Sequence, residues 1–214
     1  MTTLEDDDDY VPRRRTQLMG PAAQAKALAE ATAKLAARRQ RDALPHRIET
    51  PRLVLRAPIR GDVPDLVKLA DNKAIAEKLS RLPHPYTRAD GIGFVEIIAQ
   101  QPTQRPYAIT LDDGLIGVVG FTFEVGQLPE LGYWLGEPYW GRGIMSEAVK
   151  GLVEAAFGTR LFPRIRARAL ASNAGSLNVL TKAGYIRTGE GTDPAGTLKD
   201  QPILFFELEQ PKWS

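Results

Sequence analysis

Between Leu131 and Phe157 the chain reads LGYWLGEPYWGRGIMSEAVKGLVEAAF, and few folds accommodate such a stretch. Leu131, Tyr133 and Leu135 alternate with Gly132, Trp134 and Gly136, which predicts a strand. A turn at Glu137-Pro138 leads to Gly141-Arg142-Gly143. An amphipathic helix follows, with Met145, Ala148, Val149, Leu152, Val153, Ala156 and Phe157 on one stripe. Strand, glycine turn and helix start aim several unpaired backbone N–H groups at one point. The positive end of the helix dipole stands behind them, so an anion can bind without a cationic side chain. Gly141 and Gly143 permit positive φ and let a phosphate approach without meeting a Cβ. The spacing is neither the dinucleotide fingerprint, which needs a third glycine, nor a Walker A loop, which needs Lys-Ser or Lys-Thr. A phosphate-bearing ligand of another kind is expected.

EPYWGRGIMSEA resembles the acetyl-CoA-binding motif of the GNAT acetyltransferases, in the branch of RimJ/RimL-type ribosomal-protein N-terminal acetyltransferases. The superfamily loop reads Q/R-x-x-G-x-G/A; Pro138 stands at its first position, and Gly141 and Gly143 fill the small ones. ETPRLVLR near residue 50, LIGVVGF near 116 and the Asn173–Tyr185 stretch agree in order, so the resemblance runs over about residues 48 to 209. It implies an α/β (α+β) fold. A central mixed, mostly antiparallel sheet would be splayed between two strands and flanked by helices, with an N-terminal helical extension. The expected domains are a tail over 1–45 and an acetyltransferase domain over 46–214.

The resemblance also implies site residues. Acetyl-CoA would place its pyrophosphate on the amides of Gly141, Arg142, Gly143, Ile144 and Met145, and its pantetheine along Tyr133, Trp134 and Leu135. Asn173 and Asn178 would contact the same cosubstrate, although Asn173 also suits a helix cap. Trp134, Tyr139 and Trp140 either pack on the cosubstrate or belong to the core and the turn. Acetyl transfer to an amine requires loss of the ammonium proton, stabilisation of an oxyanion and protonation of a thiolate. Glu130 is the first candidate base and Glu124 the second; a backbone N–H near Leu135 would face the oxyanion. Ser176 is the candidate acid, because Leu180 occupies the position where many relatives carry a tyrosine. Glu147 reads as helix-stabilising and Tyr185 as packing.

Composition narrows the chemistry. There is no cysteine, which excludes disulfides and thiolate sites. Two histidines argue against a histidine-based metal centre, so no metal is expected. A net charge of +2 does not argue for nucleic acid. No apolar run reaches the length of a membrane span. With no signal-peptide core, the cytoplasmic compartment is the default.

Along the chain, Glu5–Asp9 is acidic, Arg13–Arg15 basic, and about 21–42 Ala-rich and helical, with a Lys26-Glu30-Lys34 ladder. This tail reads as a solvated helix, with a docking arm as the alternative. Strands are expected at Leu53–Arg56, Tyr107–Leu111, Leu115–Glu124, Glu130–Leu135, Arg164–Leu170, Tyr185–Glu190 and Ile203–Glu209, with Asp112-Asp113-Gly114 as a hairpin turn. Asp62 is an expected N-cap before Val63-Pro64. Lys73–Leu79 and Arg88–Ala99 are expected helices, the latter capped by Thr87 with Ile92, Val95 and Ile98 inward. The irregular Leu82–Tyr86 stretch is expected to bear on acceptor choice. The Arg164, Arg166 and Arg168 face is read as a sheet face rather than an anion patch.

The leading function is an N-acetyltransferase acting on a primary amine (a protein N-terminus or a small molecule), as a monomer or homodimer. The alternative is a catalytically silent acyl-CoA-binding or interaction module.

Overall fold

The computed structural model describes residues 20–211; the Glu5–Asp9 and Arg13–Arg15 blocks lie outside the described residues. Helix α1 spans Pro21–Ala43, β1 Arg47–Glu49, β2 Val54–Arg56, α2 Val63–Ala70, α3 Lys73–Ala76 and α4 Arg88–Gly93. Then follow β3 Gln104–Leu111, β4 Gly114–Thr122, β5 Glu130–Leu135, α5 Ile144–Gly158, β6 Arg164–Leu170, α6 Ala174–Lys182, β7 Ile186–Thr192 and β8 Pro202–Glu209.

The strands form one sheet in the order β1-β2-β3-β4-β5-β6-β8-β7, antiparallel except where β5 meets β6. This mixed α/β sheet is the architecture the resemblance implies. Alternation along the strands divides the core. Tyr107, Ile109, Val119 and Phe121 face α5, while Ala108 and Val118 face α2 and α4. All seven expected stripe residues of α5 are buried, as is Ile144. Burying a Val, Leu, Ile or Phe side chain contributes about 1.5–3 kcal/mol, so this helix is anchored along its whole length. The hairpin turn forms with Asp112 and Asp113 both at positive φ.

The parallel pairing of β5 with β6 covers only Glu130↔Arg166 and Leu131↔Ala167. Beyond Leu131 the two strands separate. Gly136 N–H donates to Ile116 on β4, and Arg166 N–H donates to Pro129 from the β6 side. Main-chain groups alternate sides along a strand, so those of Tyr133 and Leu135 point toward β6 in the stretch where pairing has stopped.

Several local expectations are corrected. Asp62 precedes α2, but its carboxylate does not cap it. Both oxygens instead take hydrogen bonds from Arg56 at 2.7 and 2.8 Å, and Ile59 N–H adds another at 2.8 Å. A charge-assisted bidentate pair is the stronger bond. The helix expected over Lys73–Leu79 stops at Ala76. The helix begun at Arg88 has Thr87 and Asp90 as a capping box, but it widens into a π turn at Phe94–Ile98. That turn shifts the inward face by a residue: Val95 is buried, whereas Ile98 is 47% exposed. Strand β1 was not expected from the short Arg47–Glu49 pattern. The Lys26-Glu30-Lys34 ladder is not closed; the i, i+4 pair on α1 is Arg38–Asp42 at 3.4 Å. Solvated pairs of this kind gain little over hydration.

No residue of α1 is buried. Its end is nevertheless tied down, since Gln40 donates to the Leu161 carbonyl at 2.7 Å and Leu44 lies in the core at 1% exposure. Among the described residues no helix is long and apolar enough to cross a membrane.

Candidate functional site

The turn expected to hold an anion has the backbone it needs. Gly141 and Gly143 have φ of 71° and 73°, and Gly143 is the N-cap of the fifteen-residue α5, with no side chain capping that end. A Cβ at Gly141 would meet nothing within 4 Å, so the space in front of the turn is open. The short helical turn Glu137–Tyr139 leads into it.

Surrounding contacts brace this turn. Trp140 donates its indole N–H to the Leu135 carbonyl at 2.7 Å, and the Lys78 ammonium sits 4.5 Å over the indole. Asn72 donates to Glu137 at 2.6 Å. The Arg142 guanidinium lies over the Tyr139 ring at 5.8 Å. Glu147 accepts from Thr50 Oγ1 at 2.7 Å and from Arg52 N and Nε at 2.9 and 2.6 Å, and Arg52 also reaches the Arg142 carbonyl at 3.1 Å. Burial opposes the charge of Glu147, but the hydrogen bonds from Thr50 and Arg52 outweigh it and hold its carboxyl below the ordinary range. Glu147 therefore joins the first turn of α5 to the β1–β2 connection.

A cleft of about 510 Å³ opens at the turn and runs between β5 and α6. Tyr133, Trp134, Leu135, Gly141, Gly143, Ile144, Met145, Asn173, Ser176 and Asn178 all line it, so residues far apart in sequence converge here. Arg142 does not line it, because its side chain turns back over Tyr139. Asn173 caps α6 through Oδ1, which accepts from Ser176 N–H at 3.1 Å, and still lines the cleft. Lys78 and Lys182 line it too and were not anticipated. Lys182 lies four residues beyond Asn178, a helical spacing that carried the signal; Lys78 arrives from the turn after α3 and had none.

A second cavity of about 410 Å³ adjoins the first, sharing Lys78, Leu79, Tyr133, Trp134, Asn173 and Ser176. At the junction the Tyr133 hydroxyl and Ser176 Oγ are 2.9 Å apart. Burial pushes the Tyr133 phenol up to about 12. The Tyr185 hydroxyl, expected only to pack, is buried without a hydrogen-bond partner, and burial raises its phenol further. Leu180 is fully buried in the core.

Two carboxylates line the second cavity. Glu130 meets Arg166 Nε at 2.9 Å and Arg168 Nε at 3.1 Å. Asp193, 5% exposed, accepts from Ser80 Oγ at 2.5 Å and lies 3.7 Å from Arg168. Thr197 N–H donates to the Ser80 carbonyl at 3.2 Å, so the β7–β8 loop is latched to the segment after α3. Leu82 and Tyr86 line the same cavity. Glu124 does not line the cavity and approaches Arg166 at 3.6 Å. Arg164 pairs with Glu207 at 2.8 Å, so all three arginines of β6 have acidic partners. Among the described residues no group of three or more His, Asp or Glu could hold a metal ion.

The family described as "Acetyltransferase (GNAT) domain" matches residues 52–186. The chain is 42% identical over 81 residues to the probable N-acetyltransferase YjcK of Bacillus subtilis (strain 168), covering 36% of this chain and 45% of that protein. It is 33% identical over 92 residues to the ribosomal-protein-serine acetyltransferase of Escherichia coli (strain K12), covering 40% and 51%. The matches thus span about half the length of these curated relatives. Among solved structures, RimL, a ribosomal L7/L12 α-N-protein acetyltransferase in complex with coenzyme A, superposes with a TM-score of 0.68 at 21% identity over 76% of this chain and 97% of that one. The microcin C7 self-immunity acetyltransferase MccE, in complex with acetyl-CoA and AMP, gives 0.67 at 18% identity over 75% and 93%. At these identities the superpositions speak for the fold.

Proposed function

The chain belongs to the GNAT acetyltransferase family, and on that premise we propose that it transfers an acetyl group from acetyl-CoA to a primary amine. The carrying observation is the open glycine turn at the N-terminus of α5, continuous with a cleft along the unpaired edge of β5. Acetyl-CoA would supply an activated acyl carbon and a thiolate leaving group. The residues fit it: the N-terminus of α5 at Gly143 has no side-chain cap, and a Cβ at Gly141 would project into space free of protein atoms. The Tyr133 main chain offers an edge on which an amide-bearing arm can pair as an added strand, the Leu135 carbonyl being taken by Trp140. Lys78, Asn178 and Lys182 line the same cleft. Arg142 contributes its main chain only. The proposal assigns residues 46–214 to the transferase domain and 1–45 to the tail.

The amine would enter through the second cavity. Transfer forms an N–C bond and breaks a C–S bond, so the amine must lose a proton and the sulfur must gain one. Asp193 is committed to Ser80 and the loop beyond it, which leaves Glu130 as the lining carboxylate that takes the ammonium proton through one water. Its two arginine contacts leave lone pairs to spare. Ser176, hydrogen-bonded to the neutral Tyr133 phenol, stands at the junction where the sulfur would lie and returns a proton. Leu135 N–H faces the developing oxyanion.

Titration calorimetry with acetyl-CoA, followed by a thiol assay of free CoA across an amine panel, tests this. Saturable binding and amine-stimulated CoA release are expected. Absence of saturable binding refutes the proposal, and binding without release by any amine favours a silent acyl-CoA-binding module.

A further inference from the structure

The charge balance of the second cavity restricts which amines suit it. Its two carboxylates are already matched: Glu130 by Arg166 and Arg168 at 2.9 and 3.1 Å, and Asp193 by Ser80 at 2.5 Å and Arg168 at 3.7 Å. Two further cations line the same cavity, Lys78 and Arg81. Among the described residues no carboxylate lies within ion-pair distance of either. Lys78 rests its ammonium on the Trp140 ring, and neighbouring Glu77 turns back to Lys73 at 3.7 Å. The remaining wall is largely apolar, including Tyr86, Phe94 and Phe121. A cavity with paired acids and spare cations repels a second ammonium and attracts a carboxylate.

Resting on the transfer reading above, we propose that the acceptor is a primary amine that carries its own carboxylate on an apolar body, with Arg81 reading the carboxylate. Two sources share this chemistry, a free α-amino acid with an apolar side chain and a short acidic peptide N-terminus. Polyamines and polycationic antibiotics are disfavoured.

The experiment uses the full chain. Calorimetry with CoA first establishes that the donor cleft fills; failure there counts against the transferase reading rather than against acceptor choice. The CoA-loaded protein is then titrated with N-acetyl-leucine and with N-acetyl-leucinamide. In parallel, CoA release from acetyl-CoA is followed with leucine, leucinamide, spermidine, and peptides bearing Asp or Asn at their second residue. The acid is expected to exceed its neutral partner by about fivefold, the upper end of a screened surface ion pair. High salt should shrink that ratio, and Arg81→Glu should abolish it. Arg81 is exposed, so an unchanged Tm serves as the folding control for that variant. Preference confined to leucine identifies the free amino acid, and preference confined to the Asp peptide identifies the peptide. No preference for the acid in either the leucine pair or the Asp/Asn peptide pair, or spermidine as the best acceptor, overturns the proposal. If no amine turns over, the calorimetric comparison of the two acetylated compounds still decides it.

Discussion

The Tyr133 hydroxyl lies 2.9 Å from Ser176 Oγ, across the junction of the two cavities. One residue comes from the strand that ends at the glycine turn and the other from the first turn of the helix after β6. If this pair delivers the proton to sulfur, Ser176→Ala and Tyr133→Phe should each lower kcat by about tenfold or more, at the modest end of acid catalysis. CoA affinity should stay within about twofold for Ser176→Ala, as removal of one hydroxyl contact allows. Burial keeps the Tyr133 phenol protonated until pH nears 12, so the pH–rate profile should show no descending limb from it below about pH 10. Steady-state kinetics with calorimetry would check both points.

The glycine turn separates strain from occupancy. A Cβ at Gly141 meets no neighbour, so Gly141→Ala costs only its left-handed backbone, about 1–2 kcal/mol of stability. Gly141→Asp adds a negative charge beside the expected phosphates. It should weaken CoA binding far more than the alanine variant at similar Tm.

Glu147 gives a pH dependence. Its folded carboxyl is held below the ordinary value of 4.5, despite burial, by Thr50 and Arg52. A depressed folded value stabilises the protein fully above the unfolded value and loses that contribution as pH falls through the folded one. Thermal melts of the wild type and Glu147→Gln should therefore differ at pH 7 and converge as the pH falls below the depressed folded value. CoA affinity should fall as well, because Arg52 would lose the partner that holds it against the Arg142 carbonyl.

Glu130→Gln should slow turnover while leaving CoA affinity near wild type. Equal loss of both would mean that its arginine contacts, rather than proton transfer, are its role.

Gly196 probes the latch beside the second cavity, the proposed acceptor site. Its φ is +79°, and a Cβ there would fall 2.2 Å from the Ser80 carbonyl oxygen, a backbone atom that cannot step aside cheaply. Gly196→Ala should raise KM for the acceptor and leave CoA binding unchanged, as acceptor-saturation curves beside CoA titrations would reveal.

Much of the first cleft was legible because its lining is nearly local. Residues 131–145 carry strand alternation, the positive-φ glycines and the helix start within one segment, and the Asn173–Tyr185 stretch adds its own cap and its Gly184 ending at φ 86°. The second cavity was not legible in the same way. Ser80 and Asp193 are 113 residues apart, and neither has a neighbouring pattern that announces the other. Glu130 was expected as a base, yet nothing on its own strand foretold that Arg166 and Arg168 would grip it. Asp62 taught a related lesson: its position before a proline-bearing first turn suits a cap, but Arg56 on the neighbouring strand competed for the carboxylate and won.

From its residues alone, this chain determined the period and order of its elements, the conformation of the glycine turn and the buried stripe of α5, because these depend on interactions within a few residues. Where charges pair, where β5 parts from β6 and which cations remain uncompensated were decided only when distant segments met. Ion pairs and cavities are properties of separation in space, which spacing along the chain does not encode.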